Sequence, residues 1–298
     1  MGKFYARCKF DGKAMTSYIL TVIAALLPLA GSHAGENSAQ NTSESQTAPI
    51  SKPYLGQKPP GSIPEAFAPG LVTTENWEYG GVFSPDMKEY YLLKSDENQQ
   101  AAFVVFRYRD GHWLESRISD RVGQPVISPD GQIMHLGKRY KQRTASGWSE
   151  IMDLGGKFDE FRIMRLTASA NGTYYFDEVG SDGDGKIRYS RLVKGEREEP
   201  KLASPAINTG TWLAHPFIAP DESYILWDGR REEGFGSSDI YISFRQDDGS
   251  WGSAINLGEK INTDAWEAAA SVTPDGKYLF STAPYPMAMS TYSGWMHR

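Results

Sequence analysis

Three tryptophans and two arginines, Trp77, Arg121, Arg162, Trp212 and Trp266, each stand nine residues before a turn-forming Asp or Asn. Indoles offer flat apolar faces to a sugar or a peptide, and guanidinium forks offer paired hydrogen bonds to a carboxylate. Covalent or metal chemistry has less to work with. Downstream of residue 34 the histidines are His112, His135, His215 and His297, with no His-x3-His or similar ligand spacing. The cysteine is Cys8, and no Gly-x-Ser-x-Gly elbow occurs. The run Asp182-Gly183-Asp184-Gly185 invites a calcium reading, but a calcium loop needs six or more oxygen ligands, and Lys186 and Arg188 follow instead. A hairpin turn is the expectation there. No catalytic residue, metal site or cofactor is assigned from the sequence.

The residues must be held by repeats. Trp77 opens WEYGGVFSPDMKEYYLL and Trp266 opens WEAAASVTPDGKYLF, with related copies starting at Arg121, Arg162 and Trp212. The aligned turn residues are Asp86, Asp130, Asn171, Asp221 and Asp275, at intervals of 44, 41, 50 and 54. Pro presets φ, Asp caps the turn and Gly accepts a positive φ, so each copy reads as strand, tight turn, strand. WSEIMDLG and WGSAINLG mark a second hairpin in two units. Four strands per unit of about 45 residues describe propeller blades. The fold expected is therefore an all-β propeller of four-stranded blades. Five blades are expected and six are possible. Residues 68–76 would supply the outermost strand of a composite closing blade, which removes an exposed edge.

Equivalent positions on successive blades surround the axis, so the Trp/Arg set forms either a ring around one channel mouth or packing between blades. Three residues on, Arg165 and His215 face away by the period of 2 and join the ring only if a bulge intervenes. Glu78 and Glu267 also face away. Trp113, Trp148 and Trp251 follow turns and read as packing. A second candidate surface is the loop from Asp228 to Asp239, which holds Arg230, Arg231, Glu232, Glu233 and Phe235 for a partner. The alternative there is a solvated, self-paired charge cluster.

Residues 1–34 read as a signal peptide: Lys3, Arg7, Lys9 and Lys13 precede an apolar stretch from Tyr18 to Ala30, and Ser32-His33-Ala34 offers a cleavage site. Cleavage removes four basic residues and one acidic, taking the net charge of −6 to −9, and removes Cys8. A chain this acidic is not expected to bind nucleic acid, and none of it should span a membrane once the leader is gone. Residues 35–62 are polar and proline-spotted and read as a flexible tether, with the propeller domain over 63–298.

The SPDG-type turns, the SSDIYISFRQDDGSWG run and the PYLGQKPPG lead-in resemble the exported PD40 family, WD40-like β-propeller repeats related to the TolB propeller. The resemblance covers about residues 53–280. It departs at Ala170-Asn171, where the family has Pro-Asp, and in the tail STAPYPMAMSTYSGWMHR. It implies a non-catalytic binding module in the periplasm or outside the cell, with a protein partner or an envelope glycan or peptide as ligand. The alternative is a carbohydrate-active hydrolase or lyase. Phe161-Arg162-Ile163-Met164 and Asp247-Asp248-Gly249-Ser250-Trp251 superficially resemble sialidase motifs, although Met164 replaces a Pro and the second run is one residue short. In that reading two carboxylates from different blades would do the work.

Overall fold

A computed structural model describes residues 54–58, 60–95, 98, 100–283 and 288–291. The leader, the first part of the tether and His297 lie outside the described residues.

The chain forms antiparallel sheets in sequence order. The first holds β1 (Glu78–Phe83), β2 (Glu89–Ser95), β3 (Ala101–Arg109) and β4 (His112–Asp120). The second holds β5 (Pro125–Ile127), β6 (Ile133–Leu136) and β7 (Arg139–Thr144), with β8 (Gly147–Trp148) and β9 (Met152–Asp153) both on β7. In the third, β10 (Ile163–Ala168), β11 (Tyr174–Glu178) and β12 (Lys186–Ser190) are followed by a separate hairpin of β13 (Leu192–Val193) and β14 (Glu196–Arg197), then by the edge strand β15 (Lys201–Leu202). The fourth holds β16 (Thr211–Ile218), β17 (Tyr224–Arg230), β18 (Asp239–Phe244) and β19 (Ile255–Asn256). The last holds β20 (Ala268–Val272), β21 (Tyr278–Thr282) and β22 (Ala288–Thr291). The first strands touch in the order β1, β5, β10, β16, β20 and back to β1. That closed ring of inner strands is a β-propeller. Four sheets carry four or more strands, and the fifth has three among the described residues.

The repeated turn is capped by its own side chains. Ser84 Oγ donates to Asp86 at 2.6 Å and accepts the Glu89 N–H at 2.9 Å, and Ser128 and Thr273 repeat both bonds. The residue after the turn Asp or Asn has positive φ in all five copies: Met87, Gly131, Gly172, Glu222 and Gly276. Glycine suits that position without strain, and the other two copies tolerate it. Asp182 and Gly183 (φ 51° and 86°) form the expected hairpin turn, closed by Asp184 N–H to the Ser181 carbonyl at 3.1 Å. Asp247-Asp248-Gly249 is likewise a turn, with Asp248 accepting the Ser250 N–H.

Cores lie between blades. Trp148 of the second blade donates to the Tyr91 hydroxyl of the first at 3.0 Å, Trp251 of the fourth packs edge-on to Tyr175 of the third, and Trp113 is buried beside Phe83. Arg143 and Arg245 lie over Trp148 and Trp251 at 4.0 and 4.6 Å. The N-terminal segment closes the ring. Tyr54, Leu55, Phe67, Leu71 and Val72 fill the core between the first and last blades with Phe83, Tyr90 and Phe280. The expected tether over 35–62 is thus docked at its end, where Tyr54 stands edge-on to Phe83 and Tyr278 and donates to Asp275. Residues 68–76 form turns rather than the expected strand, with left-handed φ at Ala68 and Gly70. Their match to the segment before Trp266 still holds: Thr74 Oγ1 donates to Glu78 and Thr263 Oγ1 to Glu267, each at 2.6 Å. Glu78 and Glu267 are buried in these caps.

His135 on β6 is 1% exposed, edge-on to Tyr174, and its ring nitrogens have no partner among the described residues. Burial, helped by the nearby Arg197 cation, pushes its pKa down to about 3. The unfolded chain takes up that proton near pH 6.5, so this site withdraws stability as pH falls from 6.5 toward 3. Urea unfolding at pH 7 and pH 4 should show His135→Phe losing on the order of 2–3 kcal/mol less than the wild type on acidification. Parallel losses would show that His135 is not buried neutral.

Candidate functional site

Four of the five inner strands are bulged, and β5 pairs with β6 in unbroken register. Registers shift between Tyr79 and Val82 on β1, Ile163 and Leu166 on β10, Ala214 and Phe217 on β16, and Ala268 and Ser271 on β20. The bulges meet the condition set by strand period for Arg165 and His215 to turn toward the axis. Both are buried there, at 2% and 6% exposure, one layer below the mouth.

Carboxylates from second strands hold the bulges. Asp177 on β11 accepts the N–H of Met164 at 2.8 Å, of Arg165 at 3.0 Å and, from the next blade, of His215 at 2.9 Å. Asp228, the equivalent residue on β17, accepts the Ala269 N–H of the following blade at 2.9 Å and meets His215 Nδ1 at 2.9 Å. Thr282 takes the same part for Gly80 at 3.3 Å. His215 Nε2 then reaches the Tyr79 hydroxyl of the first blade at 3.0 Å. Burial alone would lower the His215 pKa, but the Asp228 carboxylate outweighs it and holds it above the ordinary value. Burial raises Asp177 despite its three donors.

Above this layer, Tyr79 is sandwiched between Trp77 and Trp266, with ring centroids at 5.5 and 6.1 Å and planes within 18°. Arg121 continues the stack, 5.5 Å over the outer face of Trp77. Trp77 is 37% exposed and Trp266 half-buried. Trp212 is 57% exposed, and its backbone N–H donates to the Gly183 carbonyl at 2.8 Å. Arg162 is exposed. Between the second and third blades a cavity of about 690 Å³ is rimmed by Arg121, Arg139 and Arg162, with Asp153, Glu160 and Gln124 also on its walls. The structure therefore joins Trp77, Trp266 and Arg121 in one stack, joins Arg121 to Arg162 across a cavity, and sets Trp212 apart, against the Asp182-Gly183 hairpin of the third blade. Sequence reasoning missed Tyr79, Asp177 and Asp228. Asp177 and Asp228 fall at one position only after allowing for the third turn being a residue shorter, and that is the signal that could have found them.

The loop between β17 and β18 is not self-paired. Arg231 lies over Tyr241 at 4.6 Å and donates to the Ala206 carbonyl, and among the described residues no ion pair joins Arg230 or Arg231 to Glu232 or Glu233. Asp239 organises the turn by accepting the N–H groups of Phe235 and Gly236, and leaves Phe235 49% exposed.

No family model matches the chain, and no curated protein matches it. Solved structures similar to it include TolB from Acinetobacter baumannii, at 17% identity and a TM-score of 0.44, over 76% of this chain but only 58% of that one. A gluconolactonase from Xanthomonas campestris shares 11% identity over 72% of this chain and 85% of its own, with a TM-score of 0.45. A periplasmic gluconolactonase from Pseudomonas aeruginosa shares 11% over 68% and 64%, with a TM-score of 0.41. No described helix is long and apolar enough to cross a membrane.

Asp177→Ala would leave three buried N–H groups without their acceptor, with Asp228 still in place on His215 Nδ1. Loss of about 3–5 kcal/mol of unfolding free energy is expected, the scale for breaking a buried charged network. A change under 1 kcal/mol in urea melts would mean that the axial bonds do not hold the blades.

Proposed function

We propose that the protein is an exported, non-catalytic propeller that binds an acidic ligand, an acidic glycan or an acidic peptide, at the Trp/Arg mouth. The observation that carries this is the pairing of exposed Arg121 and Arg162 across one cavity, beside the stacked face of Trp77. Two guanidinium groups on one rim suit a carboxylate, and the exposed edge of the Trp77 indole, whose faces carry Tyr79 and Arg121, adds apolar contact for a sugar or a peptide side chain. Trp266 continues the stack on the far side of Tyr79, and exposed Trp212, against the third-blade hairpin, is assigned to the same ligand. The loop of Arg230, Arg231, Glu232, Glu233 and Phe235 is assigned to a protein partner, with exposed Phe235 as its apolar contact. Export through residues 1–34 would deliver the domain to the periplasm or the medium.

The hydrolase or lyase reading has one observation in its favour, two carboxylates near the axis. Asp177 and Asp228 are each bound to backbone N–H groups and buried, which is the environment of a structural pin.

Tryptophan fluorescence titrations with oligogalacturonate, sialic acid and a glutamate-rich peptide test the reading. One of these should give a saturable shift, weakened about ten- to a hundredfold by Arg121→Ala or Arg162→Ala, the range for a lost charged hydrogen bond. Binding unchanged in both variants, or product formation from the bound ligand, would overturn it.

A further inference from the structure

At the other end of the inner strands, beside the repeated turns, lies a second cavity of about 420 Å³ on the propeller axis. All five blades wall it, and the wall is mostly apolar, with Val82, Val126, Ile127, Phe217 and Ile218 among its residues. Two residues nearer the Trp/Arg end of the same strands, Gln124 precedes Val126, Arg165 precedes Thr167, His215 precedes Phe217 and Gly80 precedes Val82, and the charges acting on Arg165 come from Tyr79, Asp177 and Asp228 of the first, third and fourth blades. This inner layer is not filled. A side-chain carbon on Gly80 would meet no atom within 4 Å. Nor is it satisfied: Arg165 Nε and Nη1 and Gln124 Oε1 are buried and have no partner among the described residues. The nearby carboxylates are taken up elsewhere, Asp177 by three backbone N–H groups and Asp228 by His215 and Ala269. A buried guanidinium with idle donors needs an acceptor.

We infer that the axial cavity binds a small amphipathic monocarboxylate, its apolar body between Val126 and Phe217 and its carboxylate on the idle edge of Arg165. This site opens on the opposite face from the Trp/Arg mouth and does not depend on the reading of that mouth. The chemistry selects for both halves of the ligand: acetate lacks the apolar body, and a neutral alcohol lacks the anion.

Isothermal titration of the full chain with phenylacetate, acetate and 2-phenylethanol tests this. Phenylacetate should bind saturably, and each of the other two at least tenfold more weakly. Arg165→Gln, which removes the cation, and Val126→Phe, which fills the cavity, should each abolish phenylacetate binding, while Arg121→Ala at the far mouth should leave it intact. Absence of phenylacetate binding overturns the proposal, as does equal binding of 2-phenylethanol. Loss on Arg121→Ala with retention in Arg165→Gln would do the same, since it places the carboxylate at the mouth. If either axial variant fails to fold, the three-ligand comparison on the wild type still decides.

Discussion

A carboxylate buried from water must be hydrogen-bonded, and at the centre of this propeller that requirement is met across blade boundaries. Asp177 belongs to the third blade and holds the bulge of the fourth. Asp228 belongs to the fourth, holds the bulge of the fifth, and orients His215 against Tyr79 of the first. Sheets that otherwise meet through packing and side-chain bonds nearer their outer strands or turns, such as Trp148 to Tyr91 and Ser169 to Glu222, are thereby fixed in relative register at the axis. Apolar contacts alone would tolerate sliding of one sheet on another; three N–H groups converging on one buried carboxylate do not. Everything at either end of the channel is positioned by strands that these bonds pin.

Closure of the ring uses a different device. Tyr54, Phe67 and Val72 are wedged into the first and last blades, and the Thr74–Glu78 cap copies the Thr263–Glu267 cap of the preceding junction. The hydrophobic contribution of that wedge depends on sequence-distant residues meeting, Tyr54 with Tyr278 and Phe67 with Phe280. At this junction Thr282 replaces the aspartate of the third and fourth blades, so the axial bond is a neutral one at 3.3 Å. The aromatic wedge therefore carries more of the attachment exactly where the charged pin is missing.

The parts of the structure legible in the sequence are those with short-range causes. Ser-Pro-Asp-Gly turns cap themselves within five residues, so Ser84, Ser128 and Thr273 announced their turns, and the strand pairs followed from turn spacing. Trp148 and Trp251 were recognisable because each repeats at a fixed distance from a Leu-Gly end. What stayed hidden depends on bulges. Strict alternation turns Arg165 and His215 away from the axis, and only the register shifts in β10 and β16 bring them back. Asp177 and Asp228 looked like ordinary strand residues, since their partners lie on neighbouring blades. Residues 68–76 were aligned correctly to the segment before Trp266 but read as a strand; Pro69-Gly70 and the left-handed Ala68 break the extended backbone.

The same layering separates fold from function along the axis. Trp77, Arg162 and Trp266 precede the bulges, Arg121 precedes the unbulged β5 and Trp212 lies within the first register shift of β16, while Pro85, Pro129 and Pro274 follow the strands into the turns. The pins between them act through backbone N–H groups for the most part, and backbone donors are indifferent to which side chain stands one turn of alternation away. Each mouth can therefore differ in chemistry without disturbing the bonds that set blade geometry. The two mouths do differ: one presents indole and guanidinium, the other aliphatic carbons and proline rings. Arg165 is the exception: its N–H is pinned by Asp177, but its Nε and Nη1 have no partner among the described residues, and a buried charge with idle donors is more costly to keep than to replace unless something binds it.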